Sequence, residues 1–170
     1  MKKSTLGLAT SAAALLLAAC GGESEPAATE GTANEATPAE TAPVASEAPA
    51  APAADDVSTV DGTTLADFTG DPAAGAKVFM QCRSCHVVEP GVNRVGPSLA
   101  GIVGHAAGIA EGYSYTPANA NSGITWTPEK LYQYLENPRR VIPGTKMAFA
   151  GLRNGQDRAD VIAYLQAPGE

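Results

Sequence analysis

The run CRSCH, Cys82 to His86, constrains this 170-residue chain more than any other feature. Two thiols three positions apart, followed at once by an imidazole, admit few chemistries. A redox dithiol of the thioredoxin type needs a strand–helix–strand context, and no such alternation surrounds the run. A structural zinc ion needs four ligands. The candidates are Cys82, Cys85, His86 and His105, three of them within five residues. The C-x-x-C-H spacing instead reads as covalent haem attachment, in which the thiols add to the two vinyl groups and the imidazole reaches the iron from the same turn. Aromatic residues are only 5% of the chain. A core so poor in large side chains packs better around a large non-protein group.

A haem held this way calls for a second axial ligand further along. Of the three methionines, Met1 belongs to the leader. Met80 lies two residues before Cys82, too close to reach the other face. Met147 sits in the loop VIPGTKMAFAG, about sixty residues on. A lone loop methionine is usually a packing residue, but this one is the credible sixth ligand.

The first twenty residues, MKKSTLGLATSAAALLLAAC, combine Lys2 and Lys3 with an apolar run from Leu6 to Ala19. The run is shorter than the roughly 20 residues a spanning helix needs and suits a signal peptide. LAAC, residues 17–20, resembles a bacterial lipoprotein signal, with residues 1–19 as leader and Cys20 as the acylated N-terminus. The alternatives are a plain secretory signal that contains a cysteine and an uncleaved helical anchor, against which the shortness of the run counts. Residues 21–69 hold ten Asp or Glu and no Lys or Arg, and they are rich in Ala, Pro, Glu and Thr. Such a composition buries too little apolar surface to offset chain entropy. Residues 20–69 are therefore expected to be a disordered, stretched linker, and residues 70–170 the folded domain. Net charge is −7, which argues against nucleic acid as a partner.

Within 70–170, Asp71 and Pro72 form a helix start leading toward Cys82. Thr127 and Pro128 form a second, stopped by Pro138 after Asn137. In NGQDRADVIAYLQ, Arg158, Val161, Ile162 and Leu165 recur on one helical face. Three helices, long Gly/Pro loops and no convincing strand predict an all-α fold.

From Gly70 onward the chain resembles the small class I cytochromes c, close to the mitochondrial type. The matching stretches are GDPAAGAKVF, CRSCH, VGPSLAGIVG, GYSYTPANANSGITW, LYQYLENPRR, IPGTKMAFAG and DVIAYL. The resemblance implies a class I fold around one covalent haem c. Cys82 and Cys85 would form the thioethers, and His86 and Met147 the axial ligands. The Pro97 carbonyl would orient His86. Tyr115 and Trp126 would hydrogen-bond a buried propionate, with the polar Asn119 and Tyr134 beside it. Local sequence alone would make each of these an ordinary core aromatic or turn residue. His105 stands where the family often has a propionate-binding arginine, and either partly replaces it or faces solvent. Lys77, Arg83, Lys130, Arg139, Arg140, Lys146 and Arg153 keep part of the family's basic ring around the haem edge, offset here by acids.

With both axial positions filled the iron has no open site, which implies a one-electron carrier and not an enzyme. The resemblance suggests a monomer on the periplasmic side of a bacterial membrane, held by a lipid anchor. Its donor would be a quinol–cytochrome c oxidoreductase, and its acceptor a haem-copper oxidase or a photosynthetic reaction centre. The competing readings are a fixed haem subunit of a larger oxidase or dehydrogenase, and a peroxidase or ligand sensor with a displaceable Met147.

Overall fold

A computed structural model describes residues 50–168. The proposed leader and Cys20 lie outside the described residues. Among the described residues five α-helices run in the order α1 (Pro72–Val78), α2 (Pro117–Ala120), α3 (Pro128–Glu136), α4 (Pro138–Val141) and α5 (Gly155–Gln166). Among the described residues there is no strand, only an isolated bridge between Ala106 and Thr125. No described helix is long and apolar enough to cross a membrane.

Four of the five helices start at a proline that gives up no needed N–H, preceded by a side chain that caps a free one. Asp71 accepts from the Ala73 amide, Thr116 from Asn119, Thr127 from Lys130 and Asn137 from Arg140. α1 and α3 start where their caps predicted, and α5 lies where its apolar periodicity did. Pro138, expected only as a stop, also opens α4, because the turn it begins is a new one capped by Asn137.

The frame that positions the site is the crossing of α1 and α5. At Gly75 a Cβ would lie 2.0 Å from the Asp160 carbonyl oxygen, so only glycine permits this approach. One turn later the Phe79 and Tyr164 rings meet at 5.1 Å. The Asp160 carboxylate accepts from the Asp71 amide at 2.8 Å and ties the two helices together. Leu131, Leu135, Ile142, Val161, Ile162 and Leu165 are buried against this frame, each worth about 1.5–3 kcal/mol on full burial. α1 ends in a 3-10 turn, Phe79–Gln81, that delivers the chain directly to Cys82.

Residues 53–69 were expected to belong to the linker, and the structure folds them onto the domain. Residues 53–69 lie against α3 and α5 through polar contacts. Lys130, 1% exposed, donates through Nζ to the carbonyls of Ala53 (3.0 Å) and Asp56 (2.7 Å) and to Gln133 Oε1 (2.7 Å). Gln133 Nε2 donates to the Ser58 carbonyl at 2.9 Å, and Arg140 Nη1 to the same oxygen at 3.0 Å. The Val60 and Asp61 amides donate to the Glu136 carboxylate at 2.7 and 2.9 Å. Arg158, with no exposure, donates to Asp61 Oδ2 at 2.6 Å and to Thr63 and Tyr132 hydroxyls at 3.0 Å each. Phe68 stacks near Tyr132 at 6.1 Å. The segment is poor in apolar side chains, but its carbonyls and carboxylates satisfy buried cations of the helices. Leaving such cations buried without partners would cost several kcal/mol each, which helps to offset the entropy of ordering the segment.

Candidate haem site

The turn that carries the two thiols is set by local backbone bonds. The Cys85 and His86 amides both donate to the Cys82 carbonyl, at 3.1 and 2.9 Å. The chain then doubles back, and the Gly96 amide donates to the Cys85 carbonyl at 2.8 Å. This brings Gly96 and Pro97 onto the imidazole. His86 Nδ1 donates to the Pro97 carbonyl at 2.8 Å, which leaves Nε2 as the free nitrogen. A Cβ on Gly96 would lie 2.3 Å from His86 Cε1, so the ring rests on bare backbone. Burial pushes the His86 pKa down, and the Pro97 bond only partly opposes this. The imidazole is thus kept in the neutral form that a metal ligand needs. Burial also pushes the Cys82 thiol up, with Cys85 adding to the effect.

His86 lines a mostly apolar cavity of about 260 Å³. Its floor is the inner face of α3 and α5: Leu131, Leu135, Val161 and Leu165. Met147 lies in its wall, on the extended stretch between Thr145 and Phe149, and the Met147 amide donates to Thr145 Oγ1 at 3.2 Å. Tyr134 donates through its hydroxyl to Met147 Sδ at 3.5 Å, and its ring packs on Trp126 at 4.7 Å. Burial raises the Tyr134 pKa despite a hydrogen bond with Thr145, so the phenol stays a donor. Burial raises Tyr115 likewise.

Cys82, Cys85, His86, Pro97, Tyr115, Asn119, Trp126, Tyr134 and Met147 all line this one cavity. They come from six separate stretches of chain, which only the fold brings together. Tyr134 sits on the methionine sulfur, whereas the resemblance had put it beside a carboxylate. His105 is exposed and outside the lining. Among the described residues no three His, Cys, Asp or Glu side chains are grouped to hold a metal ion. Lys130 is buried under residues 53–56 and leaves the basic ring. Gly96 was not singled out from the sequence. Its position directly before Pro97 was the available signal.

The residues fit a haem on two observations. Asn119 Oδ1 is buried at the cavity wall with no hydrogen-bond partner, as expected of a side chain that faces a polar group of a ligand. The rest of the lining is mostly apolar, with one imidazole, one thioether sulfur and two thiols among it.

A helical shell around such a cavity defines a small haem-binding electron-transfer protein. The comparisons narrow this further: the family model described as "Cytochrome c" matches residues 72–167, and the chain belongs to that family. It is 52% identical over 99 residues to a cytochrome c of Gibberella zeae, covering 57% of this chain and 93% of that protein. It is 50% identical over 98 residues to a cytochrome c2 of Rhodopila globiformis, covering 57% and 92%. The structure of cytochrome cH from Methylobacterium extorquens aligns with TM-score 0.55 at 46% identity, covering 57% of this chain and 98% of that one. The chain is a class I cytochrome c that carries one covalent haem c and transfers electrons; it is not an enzyme. The family match leaves residues 1–71 uncovered.

Proposed function

We propose that this protein is a membrane-anchored one-electron carrier in a respiratory or photosynthetic chain, with its haem attached through Cys82 and Cys85 and ligated by His86 and Met147. The observation that carries the ligation is the pairing inside one apolar cavity of an oriented neutral imidazole with a thioether sulfur. When bound, the haem supplies one electron at an iron that cycles between ferrous and ferric states.

The protein's own residues set the conditions for that exchange. Pro97 and Gly96 fix the ring plane and tautomer of His86. Met147 offers a soft, neutral sulfur, which favours the reduced state. Tyr134 holds that sulfur in place. The floor of α3 and α5 excludes water, and a rigid wall keeps the site's shape nearly constant between redox states.

Supports for the anchor come from the sequence: the short apolar leader, LAAC ending at Cys20, and the acidic segment after it. One acyl chain binds a membrane marginally, and two or more hold stably. Tethering would raise the effective concentration near membrane partners to the order of mM. That offsets the weaker electrostatic capture expected from a near-neutral domain. In this reading the carrier works as a monomer on the periplasmic side, between a quinol–cytochrome c oxidoreductase and a haem-copper oxidase or reaction centre. Mass analysis and absorption spectra of the mature protein test it together. One haem mass, a lipid mass on Cys20 and the weak sulfur-to-iron band of the oxidised form are expected. A non-acylated or uncut N-terminus overturns the anchor, and a missing sulfur band overturns Met147 as ligand.

A further inference from the structure

Helix α3 is shared between two unlike neighbours. Leu131, Tyr134 and Leu135 face the cavity. Lys130, Gln133 and Glu136 hold residues 53–61. At about 100° per residue these two sets lie on roughly opposite sides of the helix. The exposed residues that rim the cavity, among them Gln81, Ser84, Val95 and Lys146, belong to other segments. The upstream chain therefore joins the domain on the side of α3 turned away from the cavity mouth.

We propose that residues 53–69 are a clasp that is part of the working carrier: it fixes where the anchoring segment leaves the domain, so that the tether does not obstruct the mouth. The clasp pairs polar groups of residues 53–69 with buried side chains of α3 and α5. Asp61 and Thr63 meet the wholly buried Arg158. The Ala53 and Asp56 carbonyls meet buried Lys130. Gln156 Nε2 closes the lower end by donating to the Thr69 carbonyl at 2.8 Å. The family match begins at residue 72, so the clasp lies wholly outside it. The clasp leaves at most 32 residues, 21–52, as linker in place of the 49 of residues 21–69. That this segment tethers the domain to a membrane rests on the reading above; the clasp does not.

Proteolysis of the full-length haem protein tests the clasp without reference to acylation. A protease that cuts after Glu and Asp has sites at Glu23, Glu30, Glu35, Glu40 and Glu47, then at Asp55, Asp56, Asp61 and Asp67. Under native conditions we expect prompt cuts through Glu47, a stable product beginning at Ala48, and cleavage at the four aspartates at least about tenfold slower. Cleavage after Asp67 as fast as after Glu47 overturns the clasp. Asp61→Asn should speed cleavage at Asp55 and Asp67 while the haem spectrum stays unchanged. Parent-like digestion of that variant overturns Asp61–Arg158 as the lock. In a Cys20→Ser background, a bulky maleimide polymer on Val60→Cys should leave electron self-exchange within about twofold of the unlabelled rate, and one on Val95→Cys should slow it at least about tenfold. Both side chains are well exposed, at 68% and 74%. Slowing from Val60 equal to that from Val95 overturns the separation of tether from mouth.

Discussion

The carboxylate of Asp61 and the guanidinium of Arg158 meet at 2.6 Å across ninety-seven positions of sequence. One belongs to the acidic N-terminal segment, and the other is the least exposed cation of the C-terminal helix. Arg158 also spans the Leu152 carbonyl at 2.9 Å and lies over the Tyr132 ring at 4.3 Å. A buried charge so placed stabilises the fold only while its partner is present.

Asp61→Asn is expected to lower unfolding free energy by about 1–3 kcal/mol at neutral pH, measured by denaturant titration. Burial tends to raise the Asp61 pKa, but hydrogen bonds from Arg158 and Thr63 more than offset it and hold the carboxyl well below the usual carboxylate range. A depressed folded-state pKa contributes stability that is fully present above the unfolded value near 3.8. That stability fades as pH falls below this value. The gap between parent and variant should therefore be constant from pH 5 to 7 and shrink below pH 4. A gap that widens on acidification would contradict the pairing.

Truncation separates the clasp from the rest of the N-terminal segment. A haem-loaded chain beginning at Ala51 should match the full chain in stability to within about 0.5 kcal/mol. One beginning at Gly70 strips partners from Lys130, Gln133 and Arg158, and should lose about 3 kcal/mol or more. Equal midpoints for the two chains would show that the clasp adds nothing.

Gly75→Ala places a methyl 2.0 Å from the Asp160 carbonyl oxygen and 2.8 Å from Tyr164 Cβ. The crossing of α1 and α5 must open, at a cost of about 1–3 kcal/mol. Thermal unfolding of the oxidised protein reads this; an unshifted midpoint would mean the crossing yields freely.

Met147→His should keep the haem mass, abolish the sulfur-to-iron band and lower the reduction potential. The fall is on the order of a few tenths of a volt, within the roughly 0.8 V that axial-ligand choice spans. Gly96→Ala, which crowds His86 at 2.3 Å, should shift both spectrum and potential with the haem retained. Unaltered spectra in either variant would remove that residue from the coordination account.

Local chemistry made much of this protein legible in one dimension. CRSCH carries the proposed attachment and the proposed imidazole ligand within five residues. Asp71–Pro72 and Thr127–Pro128 carry their own helix starts, and the Arg158–Leu165 spacing carries its own buried face, because capping and periodicity act over one or two turns. Met147 could be named by elimination among three methionines. Tertiary structure alone decided the rest. It placed the Tyr134 hydroxyl on the Met147 sulfur and rested His86 on Gly96, since both contacts join stretches whose separation hides them. It took Lys130 out of the surface and left His105 on it. It also turned residues 53–69 from apparent linker into folded chain. Composition measures how much apolar surface a segment brings to a core; it cannot register that the segment's carbonyls and carboxylates are the partners of cations buried seventy-four to ninety-seven residues away.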